Sequence, residues 1–456
     1  MPLAQRKQIE LTQKLRSLRC EFADWRKRSE DREQLAKHYT QIRRITMRLE
    51  GLLVKIETEL QTAATNEETL LGKCRELELN ILDLHRIWDF FRTKLLLRSL
   101  EAFHGYLSLA DEFAWSCYEM AQRRVKAAHV PHEEIKEPPL VYFEGESSPS
   151  AIARHKPFLR ELKSPEGSEA TAAIKDLPIP LVGVPWFQIT HLPDALLIAH
   201  EVGHLVEEDL KLTKGLNALL NQAMSDNQVP DDRQEAWQSW LGEVFADVYG
   251  TLAAGPSFTG ALIDFLAREP KRIANQKATA IYWGLYPTDY LRILLSLQVL
   301  AVQGFSNEKD KLEREWTGTY QTHQMGDFEA DLKVVAGALV LGPYPEFGGV
   351  ALRDVIPFTK DQQKAANNDA DLMLEKGDPE NDDVRILFAG GRLAYEKNPV
   401  RCAEVDVVGR VQKRISNRTG IRGEQRRGNR EELSRLDAYD LAEGAKLYLP
   451  LLDPPA

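Results

Sequence analysis

The run LIAHEVGHLV at residues 197–206 constrains this chain more than any other stretch, because it sets two histidines and a glutamate among uncharged side chains. Polar groups in such surroundings are costly to bury unless something pairs with them. His200, Glu201 and His204 therefore need either partners within a protein core or a bound metal ion.

The spacing of these residues fits a metal site on a helix. His200 and His204 are four positions apart, so on a helix both imidazoles project from one face, roughly 6 Å apart. One nitrogen of each ring can then reach a tetrahedral zinc ion at about 2 Å. Glu201 is rotated about 100° around the helix, so it lies beside the metal, where it can take a proton from a bound water.

A third ligand is available in the run WLGEVFADVYG at residues 240–250. A catalytic zinc needs three protein ligands and one open position. Glu243 follows His204 by 39 positions (243 − 204) on another helical stretch, and it is the natural third ligand. Asp247, one turn further on, would accept the second ring N–H of a ligating histidine and so fix its tautomer. The sequence thus predicts one zinc ion per chain, held by His200, His204 and Glu243.

Two further points bear on this prediction. The alternative is a histidine pair satisfied within a helical core and an ordinary surface pair of acids, with no metal at all. Gly203, between the two histidines, costs about 1 kcal/mol relative to alanine inside a helix. A close crossing of the helix that carries Glu243 would explain that glycine.

These motifs resemble those of the gluzincin metallopeptidases, which combine HExxH with a downstream ExxxD. Here they are HEVGH (200–204) and EVFAD (243–247). The form ExxAD, with a glycine at 250, is most similar to the family of integral-membrane CAAX prenyl and heat-shock-type proteases. That family has His-Pro before an arginine, and YPTDYLR (286–292) is similar at this point, with tyrosine in place of histidine. The resemblance covers roughly residues 180–300, although this chain lacks the spanning helices of that family.

The resemblance implies roles for two further residues. Tyr286 and Arg292 would stand near the open metal position and stabilise the oxyanion, since a phenol can donate the same hydrogen bond as an imidazole. Our reserve candidates for that donor are His323 and Tyr249, although a structural role explains each more simply. His191, just before the helix, is likewise interpreted as a loop residue.

Helical periodicity dominates the first 130 residues. Apolar residues at alternating spacings of four and three form a heptad seam, which then returns out of phase by one residue, so we expect two helices or a stutter. The two runs are Leu11, Leu15, Leu18, Phe22 and Trp25, and then Ile42, Ile45, Leu49, Leu52 and Ile56. A third helix should follow TNEE (65–68), which begins like an N-capped helix. Both an intramolecular helical hairpin and a dimerising coiled coil fit this pattern.

We predict four segments, since 456 residues are too many for one ordinary core. They are a helical, coiled-coil-like region at 1–130, a loop-rich connector at 131–180, a zincin-like catalytic domain at 181–330, and a C-terminal appendage of uncertain fold at 331–456. LVGVPWFQI (181–189) should be a strand that leads into the HEVGH helix. The fold class expected is mainly α, with a zincin-like metallopeptidase domain (helical with a small sheet) preceded by the long helical region.

Charge and composition limit the partners. The chain has 59 basic and 69 acidic residues, a net charge of −10, which argues against nucleic acid as the main partner. The basic run at 410–430 has no aromatic residue to stack a base. We interpret this run as a solvated or acid-paired surface, with an anionic partner as the alternative. The acidic residues 207–209 are interpreted as the solvated end of their helix.

The remaining features favour a cytoplasmic protein. The cysteines are scattered and typical of reduced thiols, and no local motif favours any of them as a zinc ligand. They are Cys20, Cys74, Cys117 and Cys402. No uncharged apolar run approaches the roughly 20 residues that a membrane span needs, and the N-terminus lacks the features of a signal peptide.

The leading hypothesis is a soluble, intracellular zinc metallopeptidase, a hydrolase acting on a protein or peptide substrate with Glu201 as general base. Its N-terminal helices would regulate access, form a homo-oligomer or bind a regulatory partner. Two alternatives stay open: a helical scaffold or interaction protein with a non-catalytic zinc site, and a zinc hydrolase of non-peptide amides or esters. An intact Glu201 counts against the first alternative, because a structural site needs a fourth protein ligand and no general base.

Overall fold

The fold is mainly helical, with one three-stranded sheet and one two-stranded sheet. A computed structural model describes most of the chain, namely residues 1–30, 35–127, 137–154, 179–188, 191–276, 283–320, 326–416 and 430–447. No helix within these ranges is both long enough and apolar enough to cross a bilayer.

The helices and strands have the following bounds. The helices are α1 Leu3–Glu30, α2 Tyr39–Ala63, α3 Glu67–Leu96, α4 Glu101–Ala127, α5 Ile198–Asp209, α6 Thr213–Asp226, α7 Asp231–Ser239, α8 Leu241–Ala254, α9 Pro256–Leu266, α10 Pro270–Ala274, α11 Asp289–Gln303, α12 Ser306–Thr319, α13 Gly326–Leu341, α14 Leu352–Val355, α15 Lys360–Leu374, α16 Val384–Lys397, α17 Pro399–Glu404, α18 Val407–Ser416 and α19 Arg430–Leu447. The strands are β1 Leu140–Glu144, β2 Ser150–Ile152, β3 Leu181–Pro185, β4 Pro343–Tyr344 and β5 Val350–Ala351.

The chain forms two compact units, and both are discontinuous in sequence. Unit 1 contains Met1–His104, Ile152–Pro180 and Thr419–Ala456, and unit 2 contains Gly105–Ala151 and Leu181–Arg418. The C-terminal helix α19 thus belongs with the N-terminal helices, whereas α4 from Gly105 onward belongs with the helices that follow residue 181.

In unit 1, the apolar seam of α1 is buried against α2 and α3 of the same chain. Trp88 of α3 packs edge-on against Phe22 and Trp25, with ring centroids 5.5 and 5.3 Å away. The seam is therefore used in intramolecular packing, and its two runs are two separate helices. As expected for the TNEE segment, Asn66 caps α3 by accepting a hydrogen bond from the backbone N–H of Thr69.

Helix α19 packs on α2 through buried ion pairs. Asp440, which is almost completely buried, accepts hydrogen bonds from Arg44 at 2.9 Å and from Arg48 at 2.8 Å. Gly51 on α2 and Gly444 on α19 let the backbones approach so closely that a Cβ on either would overlap the other helix.

Unit 2 contains the HEVGH helix. Its small sheet has the order β1–β3–β2, and β1 pairs with β3 in parallel. β3 covers residues 181–185 of the predicted strand, but a 3-10 turn from Leu192 to Leu197 comes before α5. β1 lies within the segment expected to be a loop-rich connector. Its apolar run, Leu140–Phe143, is buried, which explains why a strand forms there.

In the basic run at 410–430, the cations on α18 from Arg410 to Arg414 are acid-paired. Arg410 and Lys413 on α18 form ion pairs with Asp378, and Arg414 forms one with Asp382. This agrees with the interpretation of these three cations as a paired surface. Residues 417–429 lie outside the described residues.

Candidate metal centre

Helices α5 and α8 cross closely at Gly203. A Cβ on this glycine would lie 2.9 Å from Cα of Ala246 and 3.1 Å from Cβ of Tyr249. Real Cβ atoms do not approach backbone so closely, so only glycine allows this crossing. The close approach expected for Gly203 is confirmed, and it brings His200 and His204 against the helix that carries Glu243.

The three ligand candidates meet at the crossing. Nε2 of His200 lies 3.2 Å from Nε2 of His204 and 3.2 Å from Oε2 of Glu243. Nε2 of His204 lies 3.5 Å from Oε1 of Glu243. Among the residues that the structure describes, these three form the one group of histidine, cysteine or acidic side chains placed to hold a metal ion.

These separations fit a tetrahedral zinc site. Two ligand atoms that each lie about 2.0–2.1 Å from a tetrahedral zinc are about 3.3 Å apart. In addition, the carboxylate of Glu243 is largely buried, and its Oε2 faces Nε2 of His200 at 3.2 Å. A cation between these three groups would compensate for the burial of this carboxylate.

Asp247 lies behind His200 on the same face of α8 as Glu243. Its Oδ1 is 2.8 Å from Nδ1 of His200, which leaves Nε2 of that ring directed at the other ligand atoms. Asp247 is completely buried. It also accepts two hydrogen bonds from Arg292 on α11, from Nε at 2.7 Å and from Nη2 at 2.8 Å.

The neighbouring carboxylates favour the charged form of His200. Burial lowers the pKa of His200, but the adjacent carboxylates of Asp247 and Glu243 outweigh burial and raise its pKa to about 9. Burial raises the pKa of Glu243, and the two imidazoles more than reverse that effect, so its pKa is lowered overall. The pKa of Asp247 is likewise lowered despite burial, chiefly by the charge of Arg292. Zinc binding at Nε2 would therefore compete with protonation of the His200 ring.

Glu201 is buried on α5 beside the ligands. Burial raises the pKa of its carboxyl group, while the neighbouring histidines act in the opposite direction. Within the described residues its carboxylate makes no hydrogen bond, so it is not committed to another protein group. Such a carboxylate is suited to exchanging a proton with a water molecule.

Tyr286 and Arg292 occupy different positions in the site. Arg292 is buried, and its guanidinium group is directed at Asp247. Tyr286 is 58% exposed, and its ring centroid lies 5.9 Å from Cζ of Arg292. Partial burial and the charge of Glu243 raise the pKa of its phenol. Tyr286 is thus at the edge of the site, and Arg292 is behind it.

The segment before Tyr286 is anchored to the start of α8. Nε1 of Trp240 donates to the carbonyl of Trp283 at 3.0 Å, and the Ser239 hydroxyl donates to the carbonyl of Gly284 at 2.6 Å. These anchors were not predicted from the sequence. The available signal was the pair of tryptophans, Trp237 and Trp240, just before Glu243.

The remaining candidates from the sequence are the two reserve donors, Tyr249 and His323, and the loop residue His191. The hydroxyl of Tyr249 donates to the carbonyl of Cys117 at 2.7 Å, which is a structural role. His191 lies at the start of the 3-10 turn before α5, 3.0 Å from a carboxylate oxygen of Asp194. His323 lies outside the described residues.

The acidic end of α5 is not simply solvated, so that interpretation was wrong for two of its three residues. Glu208 is exposed, but Glu207 and Asp209 are buried. Glu207 accepts a hydrogen bond from the Thr213 hydroxyl at 3.0 Å, and Asp209 accepts one from the Tyr118 hydroxyl at 2.5 Å. These partners on α6 and α4 compensate for the burial of the two carboxylates.

Comparison with known proteins gives no match, whether to protein families, to curated proteins or to solved structures.

Proposed function

We propose that this protein is a zinc-dependent hydrolase with a zincin-like catalytic unit, and that it cleaves peptide bonds. The observation that carries the proposal is the convergence of Nε2 of His200, Nε2 of His204 and the carboxylate of Glu243 at separations suited to one tetrahedral ion. His200, His204 and Glu243 would hold the zinc and leave its fourth position open. A site with three protein ligands and a free carboxylate beside them supports a catalytic role over a purely structural one.

Bound zinc supplies Lewis acidity, which polarises a carbonyl oxygen and lowers the pKa of a water molecule to about 7. Glu201 takes a proton from the attacking water and delivers it to the leaving amine. Tyr286, at the edge of the site, donates a hydrogen bond to the carbonyl oxygen as negative charge develops there. Asp247 holds His200 in the tautomer that presents Nε2 to the metal.

The decisive experiment compares new protein N-termini, proteome-wide, in cells that express either the wild type or Glu201→Gln. This substitution removes the general base and leaves the three ligands in place, so we expect cleavage to fall by about 10²–10⁴-fold with zinc content unchanged. Glu208→Gln is the matched control, because Glu208 is an exposed glutamate on the same helix.

N-termini that are present with the wild type and Glu208→Gln, and missing with Glu201→Gln, would support the proposal and identify the substrate. Zinc content is measured on each purified protein. Identical maps from three zinc-loaded proteins would contradict a peptidase and favour a non-peptide substrate or a scaffold. A wild-type protein that does not bind zinc would contradict the proposal as a whole.

A further inference from the structure

Three helices of unit 2 meet at the carboxylate of Asp247. This side chain on α8 is completely buried, and its hydrogen bonds go to His200 on α5 and to Arg292 on α11. A buried carboxylate is held in place by such partners, because no solvent is available to replace them.

The hydrogen bonds divide unequally between the two partners. Oδ1 of Asp247 lies 2.8 Å from Nδ1 of His200 and 2.8 Å from Nη2 of Arg292, and Oδ2 lies 2.7 Å from Nε of Arg292. Arginine thus provides two of the three contacts. A guanidinium group that donates through two nitrogens fixes the plane of a carboxylate, which a single contact cannot do.

We propose that Arg292 is a positioning residue that sets the affinity of the site for zinc through Asp247. This inference rests on the proposed function, since it assumes that His200 binds a metal. Arg292 fixes the plane of the Asp247 carboxylate, Asp247 fixes the orientation of the His200 ring, and the ring directs Nε2 to the ion. This differs from the role implied by the family resemblance, in which Arg292 acts on the oxyanion.

Loss of Arg292 should therefore affect metal binding before any substrate is present. A carboxylate that partners a metal-ligating histidine typically contributes 10–100-fold to metal affinity. We expect Arg292→Gln to lower zinc affinity by a similar factor, because the substitution releases the carboxylate that orients His200. Arg292→Lys keeps the charge but cannot donate in the same forked geometry, so it should recover only part of the loss.

The experiment measures zinc affinity by competition with a chromophoric chelator on full-length wild type, Asp247→Asn, Arg292→Gln, Arg292→Lys and the Asp247→Asn/Arg292→Gln double variant. The absorption spectrum of bound Co²⁺ reports ligand geometry for each protein, and circular dichroism reports the fold without metal. Arg385→Gln is the matched control, since Arg385 is a buried arginine of unit 2 that bonds to the carbonyl of Pro357 at 2.9 Å.

We expect the double variant to bind zinc no more weakly than Asp247→Asn, because the two residues act in series. Asp247→Asn and Arg292→Gln should alter the Co²⁺ spectrum in the same way. Arg385→Gln should leave zinc affinity and the Co²⁺ spectrum unchanged. If Arg292→Gln does not fold, Arg292→Lys is compared with the wild type in its place.

Two results would overturn the inference and leave the proposed function intact. One is a zinc affinity of Arg292→Gln equal to that of the wild type, with or without loss of turnover. The other is multiplication of the two losses in the double variant, to roughly 10²–10⁴-fold from the contributions above. Absence of zinc binding by the wild type would overturn both proposals together.

Discussion

Asp247 shows how a single buried carboxylate depends on residues far away in sequence. The motif spacing was enough to predict that it would face a ligating histidine, because Glu243 and Asp247 share one face of a helix. Its second partner could not be predicted in this way. Arg292 is 45 positions further on, and nothing local indicates that α11 packs against α8 at this point. Spacing within one helix is local information, whereas the choice of a partner helix is not.

Tyr286 allows a test of catalysis that leaves the metal site untouched. We expect Tyr286→Phe to lower kcat by about 10²–10³-fold with little change in KM, because loss of an oxyanion donor affects the transition state alone. More than half of Tyr286 is exposed and phenylalanine keeps its ring, so stability and zinc affinity should change little. Steady-state kinetics on the substrate identified from the N-terminal maps checks this. An equal kcat for Tyr286→Phe and wild type would exclude the tyrosine as the donor.

At the scale of elements, the positions of helices in the sequence could be predicted better than the helices they pack against. The heptad seam predicted α1 and α2, and both runs of apolar residues are buried. The pattern left open whether the seam is covered within the chain or by a second chain, because both use the same side chains. The spacing of apolar residues did not predict that α19 packs on α2, since this packing depends on a buried acid and two glycines.

The crossing of α5 and α8 should not tolerate any side chain at residue 203. We expect Gly203→Ala to cost about 1–3 kcal/mol of unfolding free energy and to weaken zinc binding, since the helices must move apart. Gly337→Ala on α13 is the control, because a Cβ there meets no atom within 4 Å. It should be neutral or gain up to about 1 kcal/mol from higher helix propensity. Urea unfolding with and without zinc measures both effects, and equal stability of the two variants would argue against the close crossing.

The ion pairs between α2 and α19 should differ in strength according to burial. Asp440 is almost completely buried and takes part in two ion pairs, with Arg44 and Arg48, so Asp440→Ala should cost about 3–5 kcal/mol of unfolding free energy. Asp437, which pairs with Arg43 in a more exposed position, is the comparison. Asp437→Ala should cost about 1 kcal/mol or less. Denaturant titration of both variants checks this, and similar losses would show that burial does not decide the outcome.

At the scale of the whole molecule, the two units are not consecutive segments of sequence. A division into four successive segments follows changes in composition along the chain, and composition cannot reveal that a helix near one end packs with helices near the other. The part of α4 from Gly105 onward illustrates this. Its Phe113 stacks on Phe388 with centroids 4.4 Å apart, and its Tyr118 bonds to Asp209, so both belong to unit 2.

Truncation should reveal this arrangement. A chain limited to residues 105–418 keeps the core of unit 2, so we expect it to fold and to bind zinc as tightly as the full chain. A chain that starts at residue 131 loses Phe113, Tyr118 and the carbonyl that pairs with Tyr249, and it should unfold at lower temperature or fail to fold. Thermal melting and zinc content of both fragments provide the measurement. Equal melting temperatures would mean that α4 does not belong to unit 2.

The pairing of α2 with α19 also has a consequence for biosynthesis. Arg48 and Asp440 are 392 positions apart, so at about 5–20 residues per second a ribosome needs roughly 20–80 s between making one and making the other. All of unit 2 is synthesised in that interval. Unit 2 can therefore fold while translation continues, whereas α2 lacks its partner α19 until that interval has passed. The surface of α2 that α19 covers is therefore open to chaperones and proteases throughout that interval.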